Sequence, residues 1–185
     1  ATRIVHVSKT TLGNALRSGE TLKDLTALFP NSDSYGGTFN PTVISKVWLP
    51  DGRSHKFLYN SYGELARLES PTGAIVEYDH IGYGEDEGGF WRGYPDDNQN
   101  ACIYRQLNEK RTYLNNTTLL TKDTFQFESN WGSPYGYETL STIETFDGQS
   151  GAKLSKVKHY FYGNTLLSML YAGVFNYPYW KDGRE

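Results

Sequence analysis

The chain has 185 residues, a formal net charge of −3 and a sequence pI near 5.8, with 37% hydrophobic and 21% charged residues. That length suffices for one sizeable domain with a core, and the acid balance argues against a nucleic-acid binder, which needs a basic footprint. No apolar run approaches the roughly eighteen residues that a membrane helix requires.

The residue types favour strands. Fifteen Tyr, nine Phe, four Trp and seventeen Thr stand beside eight Ala, and nineteen Gly are available for turns. Tyr, Thr, Val and Phe fit a pleated, half-buried surface, whereas helices favour Ala, Leu and Glu. The expected fold is all-β: an antiparallel meander of stacked hairpins with one short helix near the N-terminus.

In chain order, Ala1 to Val7 alternates as a strand through Ile4, Val5 and Val7. Thr21 to Phe29 is the one candidate helix: Thr21 can cap it, Leu22, Leu25, Leu28 and Phe29 share a face, and Pro30 stops it. After a Ser, Asp and Gly-rich loop, strands are expected at Thr42–Leu49, Lys56–Tyr59, Glu64–Glu69 and Ala74–Tyr78, with turns at Pro50-Asp51-Gly52, Ser61-Tyr62-Gly63 and Pro71-Thr72-Gly73. Ile81 to Asn100 reads as a long irregular acidic loop. Further strands are expected at Cys102–Tyr113, Leu119–Glu128, Tyr137–Phe146 and Lys153–Tyr162, and the aromatic stretch Thr165–Trp180 reads as a strand followed by a loop.

Internal repetition is the most informative feature. Pro50-Asp51-Gly52 recurs as Pro71-Thr72-Gly73, and each precedes an aromatic strand ending in Tyr59-Asn60 or Tyr78-Asp79. Pro and Gly set turn dihedrals, and Asn60 or Asp79 can bond the backbone beyond it and start the next turn. Each Tyr ring is expected to pack on the neighbouring hairpin with its hydroxyl towards water. One hairpin cannot bury its own apolar side, so such repeats must stack.

Leu49 to Asp79 resembles the RHS/YD-repeat family, with a Pro-x-Gly turn, an aromatic-x-Tyr-Asn/Asp strand end, two residues, Gly and x-Leu. A partial echo lies at His159–Leu166. The resemblance implies a non-enzymatic structural and binding module of a secreted or cell-surface protein, forming part of a hollow β-sheet shell and in some members linked to carbohydrate. It also implies that residues 1–185 are one β-rich domain of a longer repeat protein, with the repeat core at about 42–80. The family's Asp-Pro-x-Gly-Leu processing segment is not found in the sequence, so self-cleavage is carried to no residue. The expected partners are neighbouring repeats of the parent chain and, through open sheet edges, a second copy.

Candidate chemistry is sparse. His6, His55, His80 and His159 show no zinc-ligand spacing, and His55 is expected on the surface. Cys102, the lone cysteine, reads as a small buried hydrophobe rather than a nucleophile. No Gly-x-Ser-x-Gly elbow occurs.

Glu77, Asp79, Glu85, Asp86, Glu87, Asp96 and Asp97, mixed with Trp91 and Tyr94, allow a runner-up reading as a secreted glycoside hydrolase. Asp86, Asp96 and Asp97 in the same loop could instead hold calcium, the one cofactor the sequence suggests. Trp91, Tyr94, Trp131, Tyr135, Tyr137, Tyr179 and Trp180 sit in Gly/Pro-rich segments. They suit sugar stacking or protein contact, as in a free-standing glycan-binding β-domain, or they plug the ends of the sheet.

Overall fold

A computed structural model describes residues 4–28, 36–81, 106–129 and 139–161. These form a single nine-stranded antiparallel sheet in which every strand pairs with its sequence neighbours, from β1 to β9. The strands are β1 His6–Thr11, β2 Thr42–Trp48, β3 Ser54–Tyr59, β4 Leu65–Glu69, β5 Ile75–Ile81, β6 Gln106–Tyr113, β7 Leu119–Ser129, β8 Thr139–Asp147 and β9 Lys153–Phe161. The expected all-β meander is the observed architecture.

Three consecutive turns share one design. Leu49, Asn60 and Ser70 each accept a bond from the glycine three residues on (Gly52, Gly63 and Gly73, 3.0 Å each) and each donate to the carbonyl one residue further, at 2.8–3.0 Å. These glycines have φ of 83°, 76° and 87°. This is a type I turn closed by a left-handed residue, which Gly occupies without a Cβ clash. The first and third are the Pro-x-Gly turns, and the second is Asn60-Ser61-Tyr62-Gly63. Gly63 is the most constrained of them, because an added Cβ would also sit 3.4 Å from the Phe39 ring. Gly63→Ala should therefore destabilise by about 1–2 kcal/mol in urea unfolding.

The second half of the repeat departs from expectation. Asn60 ends β3 and opens a turn, but Asp79 lies inside β5, which runs on to Ile81 opposite Gln106. The ladder with β6 keeps the backbone extended, and a register shift between Asp79 and His80 marks where the turn would have been. Tyr59 and Tyr78 thus stand in different backbone settings. The Tyr59 hydroxyl, too, does not point to water: it donates to the Ile44 carbonyl at 2.6 Å. Burial raises its pKa.

Cross-strand partners share a face. On one face the register sets Lys46 beside Lys56, Lys56 beside Glu69, Arg67 beside Glu77, Glu77 beside Arg111, and Glu144 beside Lys156. The opposite face carries apolar rows: Phe57–Leu68–Val76 across β3–β5 and Phe125–Ile143–Val157 across β7–β9. Most strand side chains are half-buried, and the fully buried apolar residues among those described are Leu12, Ala15, Leu28, Ala66, Ile75 and Leu140.

The N-terminal segment packs on the β2–β4 part of the sheet. Leu12 donates to the Pro41 carbonyl, while Tyr59 and residues 15–17 exchange two backbone bonds (2.8 and 2.9 Å). The helix is shorter than expected. Leu25–Leu28 makes one turn, and Thr21 to Lys23 stay outside it. Tertiary contacts hold this stretch instead, since Lys23 accepts from the Phe39 amide at 2.9 Å and Leu25 donates to Gly37 at 2.9 Å. The first strand is His6–Thr11, later in the chain than alternation at Ile4, Val5 and Val7 suggests.

Candidate functional site

The densest assembly of charged groups crosses the charged face from the N-terminal segment to β7. Arg111 on β6 is its centre. Its Nη1 contacts Asp79 Oδ2 at 2.6 Å and also Glu109, while Nε and Nη2 each reach Glu77 Oε2 at 3.3 Å. Arg67 on β4 bonds Glu69 and Glu77 at 2.9 Å each and Asn116, in the β6–β7 turn, at 2.6 Å. Arg17 spans 62 residues of sequence to Asp79 Oδ1 at 2.7 Å and also bonds Glu20 at 3.3 Å. The other oxygen of Glu20 takes the Ser61 hydroxyl at 2.9 Å. A single ion network thereby ties the N-terminal segment to β4, β5 and β6.

The network also relieves the like-charge neighbours that the register imposes. Arg111 faces Lys122, yet Lys122 turns to Glu109 at 3.5 Å and lies 5.7 Å from the Phe146 ring centre. Lys46 faces Lys56 but sits over the Trp48 ring at 5.3 Å, while Lys56 reaches Glu69 at 3.6 Å.

Two of the carboxylates considered for hydrolysis, Glu77 and Asp79, belong to this network. Partial burial pushes both pKa values up, but hydrogen bonds from Arg67 and Arg17, with the Arg111 charge, outweigh it and leave both below the usual carboxylate range. A general acid needs the opposite shift. Burial likewise opposes the charge of Arg111, and its bonds to Asp79 and Glu109 more than reverse that effect.

A second polar centre is the turn after β3. Asn60 is buried, and its Oδ1 accepts from the amides of Tyr62 and Glu64 at 3.0 Å each. Its Nδ2 donates to Glu64 Oε2 at 2.6 Å. Asn60→Ala should destabilise by about 1–2 kcal/mol, since two amides lose their acceptor. Asn60→Asp keeps the acceptor but sets a carboxylate against Glu64, so a pH-dependent penalty is expected in thermal melts, largest at neutral pH.

An open depression lies beside β1, lined by Ile4, His6, Ser8, Trp48, Leu49, Pro50 and Gly52, with a volume of about 650 Å³. The β1–β2 ladder places His6 opposite Trp48, and the Trp48 indole N–H donates to Ser8 Oγ at 3.2 Å, which fixes the ring. Sequence reasoning missed this place because Trp48 lies in a strand, whereas ring-bearing loops drew the attention. The register with His6 is what would have revealed it.

The residues singled out for binding, Trp91, Tyr94, Trp131, Tyr135, Tyr137, Tyr179 and Trp180, lie outside the described residues. So do the calcium candidates Asp86, Asp96 and Asp97, and Cys102. Among the described residues no group of three or more His, Cys, Asp or Glu is placed to hold a metal ion. No helix of the described residues is long and apolar enough to cross a membrane. His55 is half-buried opposite Val47 rather than exposed. No protein-family model, curated protein or solved structure matches the chain.

Proposed function

We propose that this chain is a non-enzymatic wall module of an extracellular β-sheet shell of the YD-repeat kind. The observation that carries the reading is the run of three like-built turns at Leu49, Asn60 and Ser70, spaced eleven and ten residues apart within an uncrossed meander. A meander adds strands at either edge without changing the path already laid down, which suits a wall built by repetition. The charged network supports the same role, because its groups are spent on holding strands in register.

The open β1 edge fits sheet extension. Ile4, Val5 and Val7 are 57, 54 and 51% exposed, and β1 pairs only with β2 among the described residues. Sedimentation velocity of the chain should show concentration-dependent self-association, which Val7→Lys weakens by placing a charge on the edge. A concentration-independent monomer would count against extension through this edge.

Carbohydrate capture is a second role for the same module, and the β1 depression favours it by presenting a fixed Trp48 ring beside His6 and Ser8. Saturation-transfer NMR with a panel of neutral and acidic oligosaccharides tests it. Transfer lost on Trp48→Ala supports the role, and no transfer from any sugar in the panel removes it.

A further inference from the structure

From β3 to β7 the lysines and arginines of the sheet reach carboxylates on neighbouring strands, whereas β9 carries more lysines than its neighbour offers acids to meet. Lys56 meets Glu69, Arg67 meets Glu77, Arg111 meets Glu77, Asp79 and Glu109, and Lys110 meets Asp123. On β9, Lys153 and Lys156 both reach the same oxygen of Glu144, at 2.8 and 2.9 Å. Lys158 lies opposite Thr142, which offers no charge. Two lysines therefore share one carboxylate while Lys158 faces an uncharged residue, and β9 itself contains no acid. All three are exposed, and the strand pairs only with β8 among the described residues.

We infer that the outer edge of β9, unpaired among the described residues, is a docking edge for an acidic extended segment from outside this 185-residue chain, taken up as a tenth strand. Lys156 and Lys158, two apart, project from one face, and Val157, 47% exposed, projects from the other. The complementary segment carries Asp or Glu at two alternate positions with Val or Ile between them. β8 already presents half of that pattern on the inner side, with Glu144 opposite Lys156 and Ile143 opposite Val157. Main-chain bonds along the edge supply affinity, and the carboxylates supply choice of partner.

A second copy does not fit this edge. Antiparallel β9 against β9 sets lysines against lysines, and β1, His-Val-Ser-Lys-Thr-Thr, brings a further lysine and no acid. Lysines on an edge strand repel like edges while leaving the backbone open to an acidic one. This docking rests on the charge of β9; within a shell the same edge is taken by an adjoining strand, which this inference expects to carry that acidic pattern.

The test uses the whole 185-residue chain and three synthetic peptides: one alternating Glu with Ile and Thr, its Lys-for-Glu counterpart, and the Glu peptide with alternate amides N-methylated. Fluorescence anisotropy gives affinity, and backbone NMR locates the site. The Glu peptide is expected to bind saturably and to slow amide exchange across residues 153–160, while the other two bind at least about tenfold more weakly. Lys158→Gln should weaken binding about two- to fivefold and Lys158→Glu about tenfold or more, with Lys9→Gln on β1 leaving it unchanged. Both Lys158 variants change an exposed side chain, and circular dichroism checks that the sheet persists. Equal binding of the N-methylated peptide would reduce the effect to ion adsorption and overturn the inference. So would absence of binding, the result expected if another segment of this chain fills the edge.

Discussion

Replacing Arg111 by Leu is expected to lower the free energy of unfolding by about 3 kcal/mol. Its guanidinium meets Glu77, Asp79 and Glu109 at once, and its side chain is only 22% exposed. Removal leaves three carboxylates facing one another in a half-buried place, with Arg17, Arg67 and Lys122 as the remaining cations. Exposed ion pairs contribute little, typically 0–1 kcal/mol, so the prediction depends on the shared, partly desolvated geometry. Arg111→Lys should recover part of the loss but not all, because an ammonium cannot reproduce the forked contacts. Urea denaturation of the three proteins decides it; a loss under about 0.5 kcal/mol for Arg111→Leu would show that the network is ornamental to stability.

The same network sets an acid limit. The folded-state pKa values of Glu77 and Asp79 are depressed below their ordinary 4.5 and 3.8. Their contribution is therefore fully present above those ordinary values and is lost as pH falls through the lower, folded ones. Melting temperature should fall below about pH 4.5, and more steeply for the natural protein than for Glu77→Gln, which has given up that contribution already. Parallel curves for the two would contradict the assignment.

Gly148→Ala is the second large change, expected to destabilise by about 2–3 kcal/mol. Gly148 donates to the Leu120 carbonyl at 2.8 Å as β8 turns towards β9. A Cβ there would stand 2.5 Å from the Leu119 carbonyl oxygen, 2.6 Å from its carbon and 2.7 Å from its Cγ. Two of these are backbone atoms, which cannot rotate aside. Gly151→Ala, in the same loop, meets nothing within 4 Å and is strained only by its φ of 72°, so about 1 kcal/mol is expected. Thermal unfolding of the pair separates crowding from backbone strain. Equal losses would mean that the loop does not press on β7 as described.

The turns were the legible part of this fold. Gly52, Gly63 and Gly73 each follow a residue pair that favours a turn, and a glycine with positive φ leaves a mark that one sequence reveals. Tyr78-Asp79 misled for the opposite reason: its local chemistry is that of a turn, but the partner strand β6, more than twenty residues on, keeps it extended. Helical spacing at Leu22, Leu25 and Leu28 overstated the helix, because pairing of Lys23 and Leu25 with Gly37 and Phe39 holds the backbone before Leu25 in another shape.

The site was less visible still. Arg17 and Asp79 are 62 positions apart, and Arg111 and Glu77 are 34 apart. Such pairs follow from strand register, which alternation alone does not specify. Glu77 and Asp79 were visible as carboxylates on one strand face, but the arginines that lower their pKa values come from other strands. The aromatic loops, prominent in sequence, lie outside the described residues, whereas Trp48 gains its interest only from facing His6.

The shell-module account is tested most directly by hydrogen exchange on the β1 and β9 amides, read in the longer polypeptide that this account proposes and in the 185-residue chain alone. A module built into a wall has both edges paired by adjoining strands, so amides pointing away from β2 and β8 should exchange at least about a hundredfold more slowly in the full polypeptide. Equal, fast exchange at both edges in the two settings would mean that the sheet ends where this chain does, and the account would be wrong.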